Sequence, residues 1–155
     1  MMLKKILPLI LFLFLSSCGY QAIYSKRNMV NYDFSISKID FMGDRTINLK
    51  IKEKLSSFST SKKGKDFTLN ISSLAEKAVL AKDNSGDPTN FKSTITVNFE
   101  ILINNNFKDS LQVIESFNYK NNNNKFDLKR YEREILSNLA ETATDKLIFK
   151  LSNIQ

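Results

Sequence analysis

The chain has no histidine, one cysteine, two prolines and four glycines in 155 residues. Each shortage removes a class of function. Without histidine, and with a single thiol, Ser-His and Cys-His catalytic pairs and His- or Cys-based metal sites are excluded. The glycines are scattered, so there is no glycine-rich loop to cradle a phosphate. Carboxylates are dispersed as well. Asp83 and Asp87 flank a Gly-containing turn, but they lack the ligand number and spacing of an EF-hand loop and read as turn residues. The expectation is a protein without catalytic residues, metal or cofactor: not an enzyme.

What the sequence does have is concentrated at its start. Lys4 and Lys5 precede an apolar run from Ile6 to Leu15 that is broken only by Pro8, followed by Ser16, Ser17 and the lone Cys18. A run of about ten apolar residues is the length of an export signal and is well short of the roughly 20 needed to span a bilayer. Leu-Ser-Ser-Cys resembles the bacterial lipobox, which implies diacylglycerol on the Cys18 thiol, cleavage before Cys18 and acylation of the freed amine. Three acyl chains exceed the two-signal threshold for stable anchoring, since each buried methylene contributes about 0.8 kcal/mol. The expected organisation is a signal peptide over 1–17, a lipidated tether over 18–31 and one domain over 32–155. Gly19, where lipoproteins retained at the inner membrane carry Asp, favours the outer membrane by the same resemblance.

The formal charge is +7, and loss of Lys4 and Lys5 with the signal leaves 21 basic against 16 acidic residues, or +5. Basic balance fits nucleic acid, anionic lipid or acidic protein. An exported, lipid-anchored chain does not meet chromosomal DNA, so lipid phosphate is the expected acidic partner. Runs such as Asn104–Asn106 and Asn121–Asn124 point to a general drift toward Lys and Asn that accounts for part of the charge.

Past the tether, Tyr32, Phe34 and Ile36 alternate with polar residues over a strand at 32–39. Gly43 interrupts it, Asp44 can cap a helix, and Ile47, Ile51, Leu55 and Phe58 form one helical stripe. Ser59–Lys65 reads as a loop. Phe67, Leu69 and Ile71 mark a second strand whose apolar phase slips near Ser72 and Ser73 before Leu74, Ala78 and Leu80, as a bulge would cause. Turn residues fill Asp83–Pro88. A third strand places Phe91, Ile95, Val97, Phe99, Ile101 and Ile103 on one face and Lys92, Thr94, Thr96, Asn98 and Glu100 on the other. Asn104–Asn106 turns the chain into a fourth strand, with Phe107, Leu111, Val113, Phe117 and Tyr119 on its apolar side. From Asp127 a long helix carries Leu128, Tyr131, Ile135, Leu139, Ala143 and Leu147, widened by Leu136, Ala140, Ile148 and Leu151. The order β-α-β-β-β-α predicts an α+β fold, a four-stranded, mainly antiparallel sheet with two helices on one face.

The segment "LSSCGYQAIYS", Leu15 to Ser25, is similar to the lipobox and Cys-Gly-aromatic-Gln-x-Leu-Tyr start of the LPS-assembly lipoproteins, the LptE family, in particular their alphaproteobacterial branch. The element order matches as well. Ala22 stands where Pro is frequent in that motif, and Ile23 where Leu is. The resemblance implies a non-enzymatic partner of the outer-membrane β-barrel LptD, seated in its lumen as a plug and assisting lipopolysaccharide into the outer leaflet. Other readings of the residues are an auxiliary or scaffold lipoprotein of another envelope complex, and a periplasmic lipid carrier, which would need an apolar cavity. For contact with the phosphates of lipopolysaccharide, Lys77, Lys82 and Lys92, near the Asp83–Pro88 turn, are the candidates. Lys108 and Lys120 are less favoured, and ordinary solvation competes for each of them.

Overall fold

The computed structural model describes residues 32–59 and 64–154. The expected signal peptide and tether, and with them Cys18, lie outside these.

Strand β1 (Phe34–Gly43) leads into helix α1 (Arg45–Leu55), a short 3-10 turn (Ser56–Phe58), and strands β2 (Lys65–Lys82), β3 (Pro88–Ile103) and β4 (Asn106–Lys120). Helix α2 (Lys125–Asn153) closes the domain. The sheet order is β1-β2-β3-β4. β1 runs parallel to β2, and the other two pairings are antiparallel. This is the expected α+β fold in the expected order.

Local chemistry explains the boundaries. Gly43 adopts φ +99°, and a Cβ there would lie 1.9 Å from the Ser73 carbonyl oxygen, so only glycine lets β1 close onto β2 and turn. Asp44 then caps α1: its carboxylate accepts from the Thr46 and Ile47 amides at 2.8 and 3.0 Å. Asn104 and Asn105 both take positive φ in the β3–β4 turn, a conformation Asn tolerates better than most residues. α2 begins at Lys125, two residues before the expected start at Asp127, and Asn124 caps it, accepting from the Phe126 and Asp127 amides.

The core lies between the helices and one sheet face. Phe67, Leu69 and Ile71 of β2 and Ile95, Val97, Phe99 and Ile101 of β3 are buried beneath Ile47, Ile51 and Leu55 of α1 and Leu139, Ala140, Ala143, Leu147 and Leu151 of α2. Lys54 ties the helices together, 3.1 Å from Glu141 and 2.7 Å from Asp145.

Two strand expectations are corrected. No bulge occurs at Ser72–Ser73: the β2–β3 register runs unbroken from Phe67 to Val79 and shifts only around Ala81. Ser73 keeps the core-facing phase and is buried because its hydroxyl donates to Asn48 Oδ1 at 2.8 Å, beside the start of α1. Leu74 and Ala78 are outward-facing apolar residues, not core residues displaced by a slip, and Leu80 stands at the later register shift, where it lines a groove with residues of α2. On β4, the register shifts at Lys108, so Phe107 pairs with Leu102 on the outward face and is 67% exposed, not part of the core. Tyr131 too is largely exposed and meets Tyr119 edge-on, ring centroids 6.0 Å apart.

Candidate interaction surface

Among the described residues there is no cluster of acidic, Cys or His side chains that could hold a metal ion. Nor is any described helix long and apolar enough to cross a membrane. What the fold offers is surfaces, three of which are distinctive.

The outward sheet face is the first. Because β2, β3 and β4 alternate in register, Ser72, Asn98 and Gln112 form a row across three strands. Gln112 donates to Asn98 Oδ1 at 2.8 Å, and Asn98 donates to the Ser72 hydroxyl at 3.5 Å. Asn70 donates to Glu100 at 3.2 Å in the neighbouring row. These side chains satisfy one another, which makes a flat, polar and nearly neutral face. One row over, Leu74, Thr96 and Ile114 cross it with two exposed apolar ends.

The second surface is the far half of the β2–β3 hairpin. β1 pairs with β2 only as far as Gly43 opposite Ser73. Beyond that point Leu74–Lys82 has β3 on one side and no β1 partner on the other, and Leu74, Val79 and Leu80 are 56%, 46% and 50% exposed.

The third is an open groove of about 1190 Å³ between the end of β4 and the start of α2, lined by Phe117, Tyr119, Lys120, Arg130, Tyr131 and Glu134 among others.

The sequence candidates scatter over these surfaces. Lys77 points to the helix side: its ammonium is 2.6 Å from Glu132 of α2 and 3.8 Å from the Phe91 ring centroid. The Tyr119 hydroxyl donates to the same Glu132 oxygen at 2.9 Å. Burial above all, and then this bond to an acidic neighbour, push the Tyr119 phenol above its ordinary pKa. Lys77 thus closes a Lys-Glu-Tyr latch between hairpin and helix, a role that alternation could suggest only through its odd position in β2. Lys92 lies on the opposite face, across from Ala78 and Asn118. Lys82 sits at the hairpin end opposite Pro88. The structure does not gather the three lysines on one face. Lys146–Glu115 and Lys150–Asp109, at 2.5 and 2.8 Å, strap α2 to β4, the latter lowering the Asp109 pKa.

Comparison with known proteins places the fold among bacterial lipoproteins. No family model and no curated protein sequence matches the chain. Solved structures do. Rare lipoprotein B from Shewanella oneidensis aligns at 10% identity and TM-score 0.57, over 74% of this chain and 93% of its own. Lipoprotein B from Nitrosomonas europaea aligns at 16% identity and TM-score 0.56, over 78% and 86%. A minor lipoprotein from Acinetobacter baumannii aligns at 16% identity and TM-score 0.52, over 74% and 94%. At these identities the likeness establishes a shared fold.

Proposed function

We propose that the protein is an outer-membrane lipoprotein of the LptE type, anchored through acyl chains on Cys18, which plugs the LptD barrel and assists lipopolysaccharide into the outer leaflet. It acts by binding, without catalysis. The observation that carries this reading is a convergence: the Leu15–Ser25 segment has the form of a lipoprotein start, and the domain behind it has the fold of solved lipoproteins over nearly their whole length. The Ser72–Asn98–Gln112 face supports the plug role in particular. Large barrel lumens are polar, and a face whose amides and hydroxyls are already paired can lie against such a wall without stranding polar groups. The lysines of the hairpin, Lys82 and Lys92 foremost, remain the candidates for lipopolysaccharide phosphate, since Lys77 is engaged by Glu132.

Detergent co-purification from the native envelope tests the reading. The expected result is a large β-barrel partner in stoichiometric amount, together with an intact mass that begins at a triacylated Cys18. Recovery with an inner-membrane transporter, or alone, would favour the auxiliary-lipoprotein or carrier readings. Cys18→Ala should abolish processing and membrane retention and leave the fold unchanged.

A further inference from the structure

Two phenylalanines of α2 stand equally far out of the domain: Phe126, near the start of the helix, and Phe149, near its end, are each 72% exposed. Their separation of 23 residues puts them about 35 Å apart along the helix axis. Phe149 lies at the end where the described chain begins. There the Asp33 carbonyl accepts from the Lys65 amide at 3.4 Å, the Lys65 ammonium donates to the Ile154 carbonyl at 2.6 Å, and Lys150 meets Asp109 at 2.8 Å. The starts of β1, β2 and β4 and the last turn of α2 thus come together. Phe107 is exposed on the outward side of the same end, and Phe149 lines an open groove of about 940 Å³ with Lys108, Leu111 and Ile154. This end presents two aromatic rings and little excess charge, since Lys146 and Lys150 are held by Glu115 and Asp109.

Exposure alone does not separate Phe149 from Phe126, but the length of chain before Tyr32 does. Fourteen residue steps join Cys18 to Tyr32, and they cannot span more than about 50 Å. β2 starts at Lys65, beside Asp33, and runs for roughly 60 Å to the hairpin turn. With acyl chains on Cys18 held in a leaflet, the molecule cannot stand on that turn, because the start of β1 would then lie farther from the lipid than the chain reaches. Phe149 and Phe107 belong to the end that must stay near the surface. Tethering keeps this end at a high effective concentration of lipid, so a contact too weak to recruit a free protein is occupied. Aromatic rings with long cationic side chains beside them suit the headgroup boundary, where the ring enters the apolar side and the ammonium stays in water.

We infer that this end of the domain, through Phe149 and Phe107, docks on the phospholipid bilayer that holds the acyl chains of Cys18, while the Phe126 end stands off it. The inference rests on the acylation proposed above and concerns the chain without a barrel partner. The sequence has no tryptophan, so Phe149→Trp, Phe107→Trp and Phe126→Trp each report from one place. The test reconstitutes the full acylated chain, its intact mass confirmed, in phosphatidylcholine vesicles in which part of the lipid carries bromine on the acyl chains just below the headgroup. Emission from the Phe149→Trp and Phe107→Trp variants should be blue-shifted and quenched several-fold more than that from Phe126→Trp. Low and high salt should give the same result, because the lysines beside Phe149 on α2 are already paired. Unchanged melting temperatures would show that the variants are folded, and Phe149→Trp and Phe107→Trp each read the contact if the other fails to fold. Equal quenching at the two ends, or a contact that needs anionic phosphatidylglycerol and disappears in salt, would overturn the inference and leave the anchor standing. A chain without acyl groups would overturn both.

Discussion

One strand, two environments: the first half of β2, Lys65–Ser73, has β1 on one side, β3 on the other and α1 above, while among the described residues the second half, Leu74–Lys82, pairs with β3 only and reaches α2 through Lys77. The alternation of side chains is continuous across the boundary. Phe67 in the first half is 0% exposed, and Val79, in the same phase, is 46% exposed. Their difference in burial comes from what covers them and not from local sequence preference. α1, with 11 residues, is about 16 Å long, whereas the 18 residues of β2 extend for roughly 60 Å. The helix cannot cover the strand. The first half builds the domain, and the second is left as surface.

Substitutions sharpen this contrast, and the largest effect belongs to the covered half. Phe67→Ala should lower unfolding free energy by about 3–5 kcal/mol in denaturant titrations, because it empties a fully buried site. Val79→Ala should cost under about 1 kcal/mol, since about half of that side chain is already in water. Equal losses at both positions would show that something covers the far half. At the junction, Gly43→Ala introduces a Cβ 1.9 Å from the Ser73 oxygen at a positive φ and should cost about 3 kcal/mol, read as a lowered melting temperature. Ala at an exposed glycine such as Gly86, with open space around its Cβ, should cost less.

A smaller effect is expected at the latch that reaches from the far half to α2. Lys77→Ala should destabilise by about 1 kcal/mol or less, as its side chain is 42% exposed and solvent screens the Glu132 pair. Lys77→Met, which retains contact with Phe91, should recover part of that. The smallest effect is a pH slope. Lys54, by hydrogen bond and then by charge, holds the Glu141 carboxyl below its usual 4.5. The folded chain therefore keeps Glu141 ionised at pH values where the unfolded chain binds a proton. Its stabilisation is complete above about pH 4.5 and fades as pH falls through the lowered value. Glu141→Gln should make the melting temperature less dependent on pH in that acidic window.

The contrast also shows why some of the structure was legible beforehand. Element order, the Asp44 cap and the two faces of β3 followed from periodicity, because in those places a single face is buried and the pattern is clean. The slip read at Ser73 failed for a physical reason. A buried serine, satisfied by Asn48, interrupted the apolar series in the core, while Leu74 and Ala78 continued an apolar series on the outside. Phe107 misled similarly, because a one-residue bulge at Lys108 cannot be seen in composition. Lys77 was singled out for its charge and position near the turn. Its pairing with Glu132, 55 residues later, depends on how α2 lies across the sheet, and no local pattern encodes that.

The parallel pairing of β1 has a consequence for the order in which the chain assembles. β2, β3 and β4 are joined by short turns and can zip together as a meander, but each β1 residue meets a partner about 31 positions later, as Phe34 does with Lys65. Closing that longer loop costs more chain entropy and must await the completion of α1. β1 is thus synthesised first and placed last. During that interval the whole of β2, and not only its far half, presents an open side to the surroundings, so the time taken by β1 to dock sets how long a newly made chain is exposed to mispairing.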